Sequence, residues 1–554
     1  MNRSLVILLA MLCFMPRGSV AGDLYEERLN RGIRNTDPYA FLLISSSRSE
    51  KERADSLLHE ARKYAPDLPA TYFEIAKRTL SLSPASLFEA VDYTIQGIAA
   101  YGRNFWWSFM MAASVFVAAI LSFFASLIVL FGLRLPQDLP LLAHDMAEKR
   151  AKAILLLILV IGFFGPLFLF AGILTLISFY QKKRDRLLLA TYIALLLVSP
   201  WVCKTASTFL YAPVSGPLKA IVAVNESRDN SAALSLRTGQ TTAEQFSYGL
   251  ALKREGEYGE ARGVYERLIR MAPDARTYNN LANIYVALND FDRAKELYLK
   301  SRDYGPLPST LYNLSQVYRE TLDFEKGEEW FLAAQKMDPS AVSRYRSVYS
   351  RHPNRFVIDE TLSQGELSAY ARSRTKKFLT AGFFFVPPVT APFIGLVLAA
   401  AVFFLSKYFT PWAYRCSRCG KILCSKCEKR LLWGQMCGQC YGSLVKLDEF
   451  DAKERIARLL AVYEHQRRRR WRMKLIALLL PGGGLIYGGD LLYGFSFLWI
   501  FLFACLLPLL NSFFSVGMYH FTHVWLNVGA VALAIVLYVI SNVVTRRRLA
   551  KGWL

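Results

Sequence analysis

Thr242 to Ser340 reads TAEQFSYGLALKREGEYGEARGVYERLIRMAPDARTYNNLANIYVALNDFDRAKELYLKSRDYGPLPSTLYNLSQVYRETLDFEKGEEWFLAAQKMDPS, and it repeats itself every 33 residues. Pro273, Pro306 and Pro339 keep that interval, and other columns follow in step: Ala261, Ala294 and Gly327; Tyr265, Tyr298 and Phe331; Gly249, Ala282 and Ser315. Leu281 pairs with Leu314 and Tyr285 with Tyr318 at the same spacing. Small residues at two columns let paired helices approach closely, and an aromatic at a third fills the space between neighbouring pairs. The proline closes each second helix, because it lacks an amide hydrogen and disfavours helix in the residue before it.

These columns resemble the tetratricopeptide repeat (TPR), a helix-turn-helix unit whose usual period is one residue longer. The resemblance implies a helical solenoid whose concave face binds peptides or partner helices. The bland alternative is a solenoid that only spaces two membrane halves. Upstream, residues 22–104 alternate charged and apolar positions at helical spacing. There Ala54, Leu58, Ala61 and Pro66, then Ala90, Thr94 and Gly97, follow the second-helix pattern. A degenerate TPR-like helical domain is expected there, with an unrelated helical hairpin as the alternative.

Nearly everything flanking the repeat is apolar. The chain has 554 residues, 53% of them hydrophobic, with mean hydropathy +0.23, which points to a membrane protein of several domains. Arg3, the short run Leu5 to Met15 and the small-x-small site Ser19-Val20-Ala21 predict a signal peptide over 1–21, against an uncleaved anchor. Spans are expected at Phe105 to Leu133, Leu187 to Cys203, Phe378 to Ser406, Phe495 to Leu510 with its flanks, and Val524 to Val544. Ala153 to Tyr180 is longer than a bilayer needs and is interrupted by Gly162, Gly165, Pro166 and Gly172. It reads as one kinked span or a re-entrant hairpin over 153–180.

Charge chooses between these. Basic clusters at Lys149, Arg150 and Lys152, at Lys182, Lys183, Arg184 and Arg186, at Arg467 to Arg470 with Arg472 and Lys474, and at Arg546 to Arg548 are all placed in the cytoplasm by the positive-inside rule. Both ends of 153–180 are then cytoplasmic, which favours the re-entrant hairpin. Residues 22–104 and 204–377, including repeats 242–340, fall outside; residues 407–474 and the tail 546–554 fall inside. The formal charge of +23 is concentrated on the inner side, with 17 Lys and Arg against 6 Asp and Glu over 407–474, where anionic lipid attracts it. The repeat carries 13 against 16. A basic run directly before an apolar segment is ordinarily a topology signal, so no nucleic acid is expected as partner.

Of nine cysteines, Cys13 lies in the signal peptide and Cys203 and Cys505 in or beside apolar segments. The other six form three C-x-x-C pairs in the expected cytoplasmic loop: Cys416 and Cys419, Cys424 and Cys427, Cys437 and Cys440. Two such pairs can surround one zinc with four thiolates, a closed and therefore structural site, and a reducing compartment keeps them available. Gly420 lets the backbone turn so that amide hydrogens face the sulfurs. The order of pairs resembles cross-brace zinc fingers of the FYVE type and, more loosely, a zinc ribbon. The FYVE resemblance implies that Cys416, Cys419, Cys437 and Cys440 share an ion. That family's opening pair is missing, so Cys424 and Cys427 lack partners for a second, and its basic-histidine lipid motif is absent. A redox dithiol at Cys424 and Cys427 is the rival reading, and an iron–sulfur cluster a more remote one.

Residues 475–497 are an apolar stretch broken by Pro481, Gly482 to Gly484 and Gly488-Gly489-Asp490. This resembles the small-residue turn of TM2-type bacterial membrane hairpins, which implies close helix packing. A substrate site on half-helix ends, with Asp490 as its ionisable group, is the alternative. His520 and His523, with no further ligand beside them, read as an interfacial loop.

The sequence therefore predicts an all-α fold: a polytopic α-helical membrane protein with a TPR domain and a small zinc-binding module, followed by a hairpin and two spans over 475–545. Its expected location is the bacterial inner membrane. Its expected work is that of a scaffold or adaptor for protein–protein interaction, not an enzyme, because no nucleophile-base-acid set, P-loop or dinucleotide turn is present. A transporter component using the interrupted segments and a membrane thiol oxidoreductase using Cys424 and Cys427 are the alternatives.

Overall fold

Each repeat turns between its two helices through a left-handed residue, and these residues also recur every 33 positions: Gly256 at φ 87°, Asn289 at 60° and Leu322 at 63°. Glycine and asparagine suit that conformation, whereas leucine carries a Cβ that opposes it. Helix starts are equally local. Thr241 and Glu244 form a reciprocal capping box, and Asp290, Asp323 and Asp338 each accept an amide hydrogen from the first turn that follows. The second helices end at Met271, Tyr304 and Met337, each two residues before the recurring proline.

The computed structural model describes residues 20–81, 83–375, 390–408, 413–424, 427, 436–444, 451–514 and 524–551. The expected signal peptide lies almost wholly outside them, as do His520, His523 and the first part of the expected span Phe378 to Ser406. The chain divides into two compact units, one of residues 1–109 with 211–374 and one of residues 110–210 with 375–554.

The first unit holds the helix pairs Asp37–Ser49 with Ala54–Tyr64 and Pro69–Thr79 with Pro84–Tyr101. In the second pair Gly97 lies against the ring of Phe73, leaving no room for a methyl group. The repeat follows as Thr242–Glu255 with Tyr258–Met271, Ala275–Ala287 with Phe291–Tyr304, and Pro308–Glu320 with Phe324–Met337, closed by Pro339–Ser347. Tyr265 and Tyr298 are fully buried, and a Cβ on Gly249 would stand 3.0 Å from the Tyr265 ring. The small and aromatic columns are thus two halves of one packing contact. Although apolar helices separate them in sequence, the amino-terminal pairs and the repeat share this unit. Asn35 donates to the Glu226 carbonyl at 2.9 Å, its own amide donates to Ser227 at 3.0 Å, and Arg228 pairs with Asp37.

The second unit contains apolar helices. Among the described residues four helices are long and apolar enough to cross a membrane: Phe105–Asp145, Lys183–Val214, Leu491–Phe513 and Leu526–Ala550. Pro166–Phe179 and Ala391–Phe404 are shorter apolar helices. Helix does not stop at Leu133, as expected, but runs from Phe105 to Gly162. It cannot be straight. Phe170 packs on Phe124 with ring centres 5.9 Å apart, while Gly172, two residues on, faces Ile158. In a straight helix, at about 1.5 Å per residue, Phe124 and Ile158 would stand roughly 50 Å apart. The helix bends back between them, where Pro136 and Pro140 interrupt its hydrogen bonding, and residues up to Gly162 form a hairpin with Pro166–Phe179.

Phe123, Tyr192, Phe495 and Trp499 make the aromatic centre of this unit, with Phe123 5.3 Å from Phe495 and 5.5 Å from Trp499. The glycines at 482–484 explain how the later helices close on it. A Cβ on Gly482, whose φ is 84°, would fall 2.1 Å from the Gly494 carbonyl oxygen, and one on Gly484 would fall 2.8 Å from that of Met473.

Candidate metal centre and repeat groove

The cysteine module begins with a two-stranded antiparallel ribbon in which Tyr414 faces Leu423 and Arg415 faces Ile422. The ribbon's turn carries Cys416 and Cys419, and Gly420, at φ 76°, sits so close under His465 that a Cβ would meet the imidazole at 2.5 Å. Cys437 and Cys440 stand at the start of the short helix Gly438–Leu444. The sulfurs of Cys416, Cys419, Cys437 and Cys440 all lie within 4.8 Å of one another, three of the residues buried and Cys419 partly so. Cys419 and Cys437 are 3.7 Å apart. Tetrahedral bonds of about 2.3 Å would set sulfurs about 3.8 Å apart, so the spacing fits a single four-thiolate ion.

The local electrostatics fit as well. Burial opposes ionisation of Cys416, but amide hydrogens of Cys419, Arg418 and Cys437 more than offset it and bring the thiol down to about 7. Burial and the neighbouring Cys437 and Cys419 sulfurs push Cys440 up, and burial does the same to Cys419. Four thiols so close cannot all ionise without a cation among them, and a divalent ion supplies that charge.

Cys424 and Cys427 do not join this group. Their sulfurs are 3.5 Å apart, and Cys427 lies 3.3 Å from Nε2 of His144. The expectation that this pair lacks a partner is corrected: His144 completes a second cluster of three ligand atoms within 4.8 Å. Among the described residues the six cysteines thus form two groups capable of holding a metal ion, four and two-plus-histidine.

The repeat's groove holds the other candidate site. An extended stretch of the same chain lies along it. Asn313 both donates to the carbonyl of Ile358 at 2.8 Å and accepts from its amide at 2.7 Å. Asn280, one period earlier, makes the same pair of bonds to Glu360 at 2.9 and 2.8 Å, and Asn225 accepts from the amide of Leu362 at 2.7 Å. Alternate residues of an extended chain face one way, so a row of amides reads every second one. Asn279 and Asn283 add donors to the Ile358 carbonyl. Between them Asp359 meets Lys253 at 2.9 Å, a lysine only 1% exposed. Burial lowers the pKa of that lysine and the carboxylate resists the shift. The helix Gln364–Ser373 then docks on the repeat through a two-pronged Arg276–Glu366 pair at 2.7 and 2.8 Å and through Tyr370 and Arg374 on Glu244.

Asp490 is 4% exposed and paired with both Arg184 and Arg548, whose guanidinium groups also lie over the Tyr493 ring at 4.7 and 4.9 Å.

Residues 275–301 and 308–340 match the family model of the tetratricopeptide repeat. These repeats are a fold used for protein–protein interaction. No curated protein matches the chain. The groove asparagines were not singled out from sequence, yet a signal for them exists, since Asn280 and Asn313 occupy one column of the period. His144 has no such signal, being 280 residues from Cys424.

Proposed function

We propose that this protein is a multi-pass membrane scaffold whose repeat domain recognises extended peptide and, in the state described, holds a segment of its own chain. The observation that carries the reading is the bidentate grip of Asn280 and Asn313 on the backbone of Glu360 and Ile358. Side-chain amides that satisfy both the N–H and the C=O of one residue recognise a strand by its backbone, which is how a helical array binds without demanding many side chains. With the groove filled, an external partner either displaces 357–362 or uses the outer face, where Phe324, Leu332 and Met337 are exposed.

Zinc at Cys416, Cys419, Cys437 and Cys440 is the ion proposed for the four-thiolate group, in a structural role. The chain's work is interaction, not catalysis. A bacterial cytoplasmic membrane, with the repeat outside and the thiolate module and carboxyl terminus inside, is proposed from the signal-peptide and TM2-type features and the basic clusters. The union of 37–101 with 216–373 in one compact unit supports placing both on one side. The pairing of Asp490 with two arginines supports a packing role for it over a substrate site.

The experiment is binding in trans. A labelled peptide of residues 355–364 is added to full-length protein in which 357–362 are replaced by a Gly/Ser linker of equal length, and to the wild type. The proposal expects saturable binding to the replaced chain and little to the wild type, abolished by Asn280→Ala with Asn313→Ala. Absence of binding to the replaced chain would remove peptide recognition by this groove.

A further inference from the structure

The module's second cysteine pair sits against the far part of helix Phe105–Gly162, and the approach is built by several contacts besides the sulfurs. The Ala413 amide donates to Oδ1 of Asp145 at 2.6 Å, Arg415 donates to the Gln137 carbonyl at 2.7 Å, and Leu141, Ala413 and Cys424 pack together. This docking brings His144 Nε2 to 3.3 Å from Cys427, whose sulfur is 3.5 Å from that of Cys424. A zinc-type ion with bonds of about 2.3 Å to sulfur and about 2.0 Å to imidazole spaces such ligand atoms roughly 3.5–3.8 Å apart, so three of four tetrahedral corners are in place.

We propose that His144, Cys424 and Cys427 bind a second divalent ion of zinc type, which fastens the thiolate module to the membrane helix. Two thiolates and an imidazole select borderline-soft ions over magnesium or calcium. Asp145, the nearest carboxylate in sequence, does not fill the fourth corner: one oxygen accepts from Ala413 and the other from Tyr180 at 3.0 Å. That corner is left to water or an outside donor. His144 and Cys427 are exposed, whereas the residues of the other cluster are buried or, for Cys419, partly buried. The second ion therefore exchanges readily while the first is retained, and when bound it adds to the contacts that hold the module on the helix.

The test counts ions on full-length protein in detergent, reconstituted with Zn²⁺ and in parallel with Co²⁺, before and after brief exposure to EDTA. The expected result is two ions per chain, falling to one after EDTA, with the surviving cobalt spectrum that of four thiolates. His144→Ala should bind one ion from the start and keep the four-thiolate spectrum, which shows that the module is still folded. His144→Cys should restore the second ion. One ion per chain in the wild type, two EDTA-resistant ions in His144→Ala, or recovery of Cys424 and Cys427 as a disulfide under reducing reconstitution would each overturn the proposal. Loss of the four-thiolate spectrum in Cys437→Ser, with His144 intact, reports on the other site and separates its failure from this one.

Discussion

At the scale of single residues, a few side chains carry interactions that no neighbour can replace. Asn280 supplies both hydrogen bonds to Glu360. Its replacement by Ala leaves a partly buried amide and carbonyl unpaired, and such losses cost up to about 1–3 kcal/mol. Asn280→Ala should lower the unfolding midpoint of the repeat and open 357–362 to protease, with the remaining repeat helices intact by circular dichroism. Leu322 presents the opposite case, an exposed leucine held at φ 63°. Leu322→Gly relieves a strain of roughly 1–2 kcal/mol, of which added chain entropy takes back a part, so thermal unfolding should show a net gain. Gly482→Ala should do the reverse. It places a methyl on the Gly494 carbonyl at a left-handed position, and overpacking of that kind costs roughly 1–3 kcal/mol, readable as a lower aggregation temperature in detergent.

Among elements, the docking of Gln364–Ser373 on the repeat depends on charge. The Arg276 guanidinium holds the Glu366 carboxyl down at about 2, against an ordinary value of 4.5, with further bonds from Ser363 outweighing partial burial. The folded chain then holds fewer protons than the unfolded one between those values. The pair's contribution is complete above about pH 4.5 and is lost as pH falls toward 2. Glu366→Gln should start lower at neutral pH and lose less on acidification across that window, measured as unfolding midpoint against pH. The elements of the repeat were legible because small, aromatic and proline columns recur at a fixed interval of 33 residues, and each acts locally to pair or end its helices. What fills the groove was not. Asn280 and Asn313 recur at one period, but the strand they hold lies 80 and 45 residues away, and the hydropathy of 357–362 does not mark it as a ligand. The bend in helix Phe105–Gly162 is of the same kind: Pro136 and Pro140 mark a weak point, while packing against Pro166–Phe179 sets the direction.

Across the whole molecule, sequence order and spatial grouping part company. Residues 37–101 and 216–373 share one unit despite the apolar helices between them, and the six cysteines of one loop separate into two clusters because a histidine from the helix after residue 105 takes one pair. That two C-x-x-C pairs would share an ion could be read from spacing, since each pair is a local turn; which two share it was implied by the resemblance to cross-brace zinc fingers. The second cluster needed the tertiary fold. The central claim is that the repeat domain reads extended backbone and is occupied by its own chain. Hydrogen exchange of the full-length protein in lipid nanodiscs tests it most directly. Amides of Ile358, Glu360 and Leu362, bonded to Asn313, Asn280 and Asn225, should exchange as slowly as those of the flanking repeat helices, with all three quickened in Asn280→Ala. Exchange of these amides at the rate of an unstructured chain would contradict the claim.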